Sequence, residues 1–121
     1  MNILVVDDNQ FILEMIKQML RDENYNIFTE NSVSEAIAFF EGGGECNLVV
    51  TDIMMPEKDG INLAQYAKTL SPPLPVLAIT GGSGEDSVES CVDQAKAFAD
   101  EILLKPLHKD ELIETIERLA G

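Results

Sequence analysis

Residues 3–8 read Ile3-Leu4-Val5-Val6-Asp7-Asp8, four consecutive apolar residues that stop abruptly at two acids. So short and unbroken an apolar run suits a strand buried on both faces, as in a parallel sheet. The residues after it form a different pattern. Ile12, Met15, Ile16, Met19 and Leu20 recur at helical spacing, while Glu14, Lys17, Gln18 and Arg21 fill the other face, which predicts an amphipathic helix. Asp22-Glu23-Asn24 closes it.

The same alternation runs to the end of the chain. Strands are predicted over Tyr25–Thr29, Leu48–Val50, Pro75–Thr80 and Ile102–Leu104. Between them lie helical stripes at Val33, Ala36, Ile37 and Phe40, then at Ile61, Ala64, Ala67 and Leu70. A further stripe holds Val88, Cys91, Val92, Ala95 and Phe98 or Ala99, and the last holds Leu112, Ile113, Ile116 and Leu119. Gly42-Gly43-Gly44, Ser71-Pro72-Pro73 and Lys105-Pro106 punctuate the pattern. Five strands alternating with five helices predict an α/β fold: a doubly wound five-stranded parallel sheet with right-handed crossovers, of the (βα)5 flavodoxin-like type. The order of the strands is not readable from the pattern. No repeat or linker interrupts it, so residues 1–121 are expected to form a single domain.

The composition agrees. The chain has 121 residues, 45% of them hydrophobic, with 22 Asp+Glu against 8 Lys+Arg and a net charge of −14. That apolar fraction argues against a disordered acidic tail. Direct nucleic-acid binding is disfavoured, since phosphate contacts need clustered Lys and Arg. No apolar run approaches the roughly 20 residues of a membrane span. Met1-Asn2 lacks a basic leader, and acids arrive at Asp7 and Asp8. Cys46 and Cys91 have neither CxxC nor Cys/His ligand spacing, so two free thiols in a reducing cytoplasm are expected.

Ligands of open α/β sheets bind outside the carboxyl ends of the strands. Asp7 and Asp8 follow the first predicted strand and Asp52 the third; Thr80 with Gly81-Gly82 comes at the fourth and Lys105-Pro106 at the fifth. Three carboxylates, a hydroxyl and an ammonium are therefore expected at one edge. Two unit charges about 4–5 Å apart at an effective dielectric near 20 repel by roughly 3–4 kcal/mol. One lysine cannot offset three acids, which points to a hard divalent cation such as Mg²⁺ in an all-oxygen site. A carboxylate beside Mg²⁺, an ammonium and a hydroxyl is equipped to accept a phosphoryl group, with Asp52 as the attacking group and Thr80 donating to a phosphoryl oxygen.

This ordered set resembles the response-regulator receiver family of two-component systems, and so does TDIMMPEKDG, where Pro56 and Gly60 follow Asp52 at family spacing. The resemblance covers essentially the whole chain. It implies a phosphorylation switch in which Asp52 accepts the phosphoryl group from the phosphohistidine of a sensor histidine kinase or phosphotransfer protein. It also implies Mg²⁺ held by Asp8 directly, by Asp7 largely through water, by Asp52 and by the Met54 carbonyl. Lys105 would hold a phosphoryl oxygen, the Lys105–Pro106 bond would be cis, and Thr80 would move toward the phosphoryl group with the loop from Gly81. Such a domain is a phosphoacceptor that catalyses only its own phosphorylation and dephosphorylation, and here it is expected to stand without an output domain.

Two positions depart from the family pattern. Ile102 stands where an aromatic switch residue is common, and Phe98 where a glycine often closes the helix. Both are equally well read as core or rim packing. Met54-Met55 side chains read as adaptable packing, and His108 as a residue near the start of the last helix. Residues 85–121 hold ten acids and four bases. A downstream protein is expected to dock on the face made by the helix over 88–99, the strand at 102–104 and the closing helix, presenting basic residues. A degenerate receiver that works by docking alone is an alternative. An aspartate-nucleophile phosphohydrolase is disfavoured, because Met54 stands where a second acid would protonate the leaving group. A flavin carrier of the same fold class is disfavoured too, because Asp7 and Asp8 would repel its phosphate.

Overall fold

In a computed structural model of the chain, residues 1–53, 60–70, 72–81 and 99–120 are described. Five strands, β1 (Asn2–Val6), β2 (Asn26–Glu30), β3 (Leu48–Asp52), β4 (Val76–Gly81) and β5 (Glu101–Lys105), pair in parallel in the order β2-β1-β3-β4-β5. Four helices are seen among the described residues: α1 (Gln10–Met19), α2 (Val33–Glu41), α3 (Gly60–Thr69) and α4 (Lys109–Ala120). This is the expected doubly wound sheet, with the strand order of flavodoxin-like folds. The helix predicted from Val88 to Ala99 lies, up to Phe98, outside the described residues.

The continuous apolar runs have a direct cause. Successive side chains of a strand point to opposite faces, so a run such as Ile3-Leu4-Val5-Val6 is buried only when both faces are covered. Ile3, Val5, Leu48, Val50, Leu77, Ile79 and Leu103 pack with Leu13 and Ile16 of α1 and with Leu112 and Ile116 of α4. Leu4, Val6, Val49 and Val76 pack on the other side with Val33 and Ala36 of α2 and with Leu63, Ala64 and Ala67 of α3. Each of the Val, Leu and Ile side chains contributes roughly 1.5–3 kcal/mol by burial, and the alanines less.

Local chemistry sets the helix ends. The Asn9 side chain accepts the Phe11 N–H at 2.9 Å and starts α1; Ser32 Oγ accepts the Glu35 N–H at 3.1 Å and starts α2. After α2, Gly43 takes φ +93°, and a Cβ on Gly44 would stand 2.6 Å from the Phe39 carbonyl oxygen. Both positions require glycine. At the amino edge of the sheet, Asn47 Oδ1 accepts the Asn2 N–H at 2.8 Å and Asn2 Oδ1 accepts from Asn26 Nδ2 at 2.9 Å. These bonds tie together the starts of β2, β1 and β3.

The strand limits differ from the apolar runs. Asp52 and Lys105 end β3 and β5, Thr80 lies inside β4, and β2 runs one residue later than Tyr25–Thr29. Ladder bonds come from the backbone, so a strand continues through polar residues that an apolar run cannot include. Among the described residues, no helix is long and apolar enough to cross a membrane.

Candidate functional site

The chain order reverses at β1, which has β2 on one side and β3 on the other. The crevice of such a sheet opens at this switch point, beyond the carboxyl ends of β1 and β3. The alternation of strand side chains selects what enters it. Ile3 and Val5 lead to Asp7, Leu48 and Val50 to Asp52, and Leu103 to Lys105, each two residues on from a side chain packed beneath α1 and α4. The Asp7 N–H donates to the Glu30 carbonyl at 3.3 Å, so the β1–β2 ladder carries Asp7 to the edge.

The outcome is a tight acidic cluster. Carboxylate oxygens of Asp7, Asp8 and Asp52 all lie within 4.8 Å of one another. Asp7 and Asp52 are buried, at 1% and 6% exposure, while Asp8 is exposed. Lys105 Nζ donates to Asp52 Oδ2 at 2.8 Å and approaches Asp7 Oδ2 at 3.5 Å. The other Asp7 oxygen accepts the Asn9 N–H at 2.9 Å.

Burial, helped by the charge of Asp52, pushes the Asp7 carboxyl up to about 6, against the pull of the Asn9 N–H and Lys105. Burial also works against the charge on Lys105. Its hydrogen bond and attraction to Asp52, with those to Asp7, outweigh that effect and raise Lys105 above the ordinary lysine value. Among the described residues, one firmly protonated ammonium thus faces three carboxyl groups. An all-oxygen donor set this close suits a hard divalent cation held by Asp7, Asp8 and Asp52.

Thr80 is fully buried, and its Oγ1 has no hydrogen-bond partner among the described residues. Such a group costs stability unless something arrives to pair with it. Its position follows from register: Asp52 pairs with Ile79, so Thr80 lies one residue beyond the level of Asp52 on the adjacent strand. Thr51, also buried, donates its hydroxyl to the Asp52 carbonyl at 3.0 Å.

The remaining expected positions divide. Gly81 ends β4, and the Lys105–Pro106 bond is cis, with Pro106 exposed. Ile102 is half-buried against a cluster of Ile53 and Ala78, as a rim-packing residue would be. The His108 carbonyl accepts the Leu112 N–H at 2.9 Å, at the start of α4. Met54, Met55, Pro56, Gly82, Cys91 and Phe98 lie outside the described residues. Sequence reading passed over Asn9, which both caps α1 and holds Asp7. Its signal was available, because an Asn directly before an amphipathic stripe is a cap pattern.

The chain matches the family described as "Response regulator receiver domain" over residues 3–117. The protein belongs to this family. The receiver is 38% identical to the transcriptional regulatory protein ZraR of Salmonella typhimurium over 117 residues, covering 97% of this chain and 26% of ZraR. It is 32% identical to the probable transcriptional regulatory protein TcrX of Mycobacterium tuberculosis, over 97% of this chain and 48% of that protein. The receiver therefore spans between about a quarter and a half of the length of these relatives. Among solved structures, a response regulator receiver domain protein from Clostridium thermocellum superposes with a TM-score of 0.84 at 28% identity. That match covers 98% of this chain and 93% of the other. Receivers of this family are the response-regulator modules of two-component systems and are generally signalling domains rather than enzymes.

Proposed function

We propose that this receiver is a phosphorylation switch in which Asp52 accepts a phosphoryl group from the phosphohistidine of a sensor histidine kinase or phosphotransfer protein. The observation that carries this reading is the 2.8 Å contact of Lys105 with Asp52 inside the three-carboxylate cluster. Asp7, Asp8 and Asp52 would hold Mg²⁺, joined by the Met54 carbonyl that the family pattern implies. When bound, Mg²⁺ supplies positive charge against the phosphoryl oxygens.

The chain's own residues then divide the work. An Asp52 oxygen forms the new O–P bond as the N–P bond of phosphohistidine breaks, and the departing imidazole nitrogen takes up a proton. As an acyl phosphate, Asp52 no longer carries its carboxylate charge, so the best partner of Lys105 becomes a phosphoryl oxygen. Thr80, buried without a partner among the described residues, supplies a hydroxyl donor. Its move toward the new oxygens, with Gly81, is the switch. Met54, two residues after Asp52, offers no acid for leaving-group protonation, which supports a phosphoacceptor that acts only on itself over a phosphohydrolase.

The receiver acts in the cytoplasm, without direct contact to nucleic acid or membrane. Its downstream protein target docks on β5, α4 and the residues preceding them, where Leu104 is 58% exposed.

Incubating the protein with Mg²⁺ and a small phosphodonor, then reading its mass, tests the proposal. The expected result is a gain of one phosphoryl group that Asp52→Asn abolishes. A gain that survives the substitution moves the acceptor elsewhere, and no gain with any donor leaves a degenerate receiver that works by docking.

A further inference from the structure

A second concave feature lies at the opposite, amino-terminal edge of the sheet. It is a cleft of about 540 Å³ between the α2–β3 loop and the residues after α3. Phe40, Leu70, Pro72 and Leu74 supply apolar surface, and Asn2 and Glu45 supply polar groups. None of these residues takes part in the cluster around Asp52. We propose that this groove docks a basic peptide segment of a partner protein, with one apolar anchor flanked by Lys or Arg. The proposal does not rest on phosphorylation of Asp52.

Charge selects the occupant. Glu45 lines the groove, and Glu41 ends α2 one residue after Phe40; both are exposed and neither has an ion pair among the described residues. The last turn of α2 carries no basic residue, so Glu41 adds its charge to the negative end of the helix dipole. That arrangement disfavours the helix and favours an external cation. Lys68, in the last turn of α3, does not neutralise the site, because its ammonium is engaged by the Leu74 carbonyl at 2.9 Å and by Asp100. The net charge of −14 draws a basic partner to the protein as a whole, and the carboxylate of Glu45, unpaired among the described residues, is what the groove itself adds.

The groove is built before any partner arrives. Gly44 sits so close to Phe39 that a Cβ would stand 2.7 Å from its ring. Phe39 packs edge-on against Phe40 at 5.3 Å between ring centroids, and Phe40 meets Tyr66 at 5.8 Å. The Asn2–Asn47 bond holds the floor. Cys46 also lines the cleft, and burial pushes its thiol up to about 11, so the wall is a neutral thiol of low nucleophilicity. A pre-built cleft of mixed apolar and amide surface, edged by the carboxylate of Glu45, takes one anchor side chain and a basic neighbour at low ordering cost.

The test titrates the ¹⁵N-labelled 121-residue chain with a synthetic peptide in which lysines and arginines flank a central Leu-Phe pair. Amide shifts are expected to concentrate at Asn2, Gly44, Glu45, Asn47 and Leu74. Glu45→Lys is expected to weaken binding about tenfold, and replacing Leu-Phe with Ser-Ser to weaken it comparably. Glu14→Lys on α1 reverses the same charge away from the groove and is expected to leave affinity nearly unchanged. Shifts centred on Asp7, Asp8 and Asp52 overturn the proposal. So does an equal loss with Glu14→Lys, which would mean general attraction to an acidic surface, and so does the absence of binding.

Discussion

Lys105 Nζ lies 2.8 Å from Asp52 Oδ2, across 53 residues of sequence. The contact exists because β4 separates β3 from β5 and is paired in register with both. Asp52 lies level with Ile79, and Lys105 lies level with Gly81, so both side chains reach the carboxyl edge of the sheet together.

Replacing Lys105 with Met removes the only cation within bonding reach of the acids among the described residues. In the metal-free protein, Asp7 and Asp52 then repel each other without the counter-charge of Lys105. The expected cost is about 1–3 kcal/mol, less than for a fully buried pair because the Lys105 side chain remains 24% exposed. Urea unfolding in EDTA measures it. Added Mg²⁺ is expected to stabilise Lys105→Met more than the parent, and coincident EDTA midpoints would show that the pair contributes nothing.

Asp7 sets a pH dependence. Its folded-state value of about 6 lies above the ordinary 3.8, so between these values the native state binds more protons than the unfolded chain. Its contribution to metal-free stability is therefore fully present below about pH 4 and is lost as pH rises through 6. Asp7→Asn is expected to remove this contribution from the difference in melting temperature between pH 5 and pH 8. Mg²⁺ and a proton compete for the carboxylate, so Mg²⁺ affinity is expected to fall as pH drops through 6, with proton release on binding seen by calorimetry in two buffers.

Thr80→Val keeps the shape of the side chain and removes the buried hydroxyl that has no partner among the described residues. The unphosphorylated protein is expected to gain up to about 1 kcal/mol, read as a raised urea midpoint. Stabilisation of the protein by phosphorylation is expected to shrink in the same variant. A lowered midpoint in the unphosphorylated state would mean that the hydroxyl is already satisfied there.

Gly44→Ala places a Cβ against the Phe39 ring and carbonyl, and Gly43→Ala forces alanine to φ +93°. Each is expected to destabilise by about 1–3 kcal/mol, through overpacking in the first case and backbone strain in the second. Chemical denaturation checks both. Phosphodonor labelling at Asp52 is expected to persist, since these glycines lie at the other edge of the sheet.

Sequence reading reached the element types and their order because each apolar run and each helical stripe is a local pattern. It placed Asp52 and Lys105 beyond their strands, whereas both are the last residues of theirs, and it placed Thr80 at the end of the fourth strand, which runs one residue further to Gly81. The apolar run ends where burial by helices ends, but the backbone ladder does not need apolar side chains. Of the two roles of Asn9, the cap of α1 is legible in the local pattern, but the support of Asp7 depends on a backbone N–H, which no side-chain pattern reports.

By itself the sequence determined an α/β alternation, the residue types available at the strand ends, and an excess of acid there. Those follow from local periodicity and from charge, which are properties of neighbours along the chain. Tertiary structure decided the strand order β2-β1-β3-β4-β5, the pairing of Lys105 with Asp52 and the burial that pushes Asp7 up to about 6. It also left the Thr80 hydroxyl without a partner among the described residues. These depend on which strands become neighbours and on how much water they exclude, and both are settled only when distant segments pack.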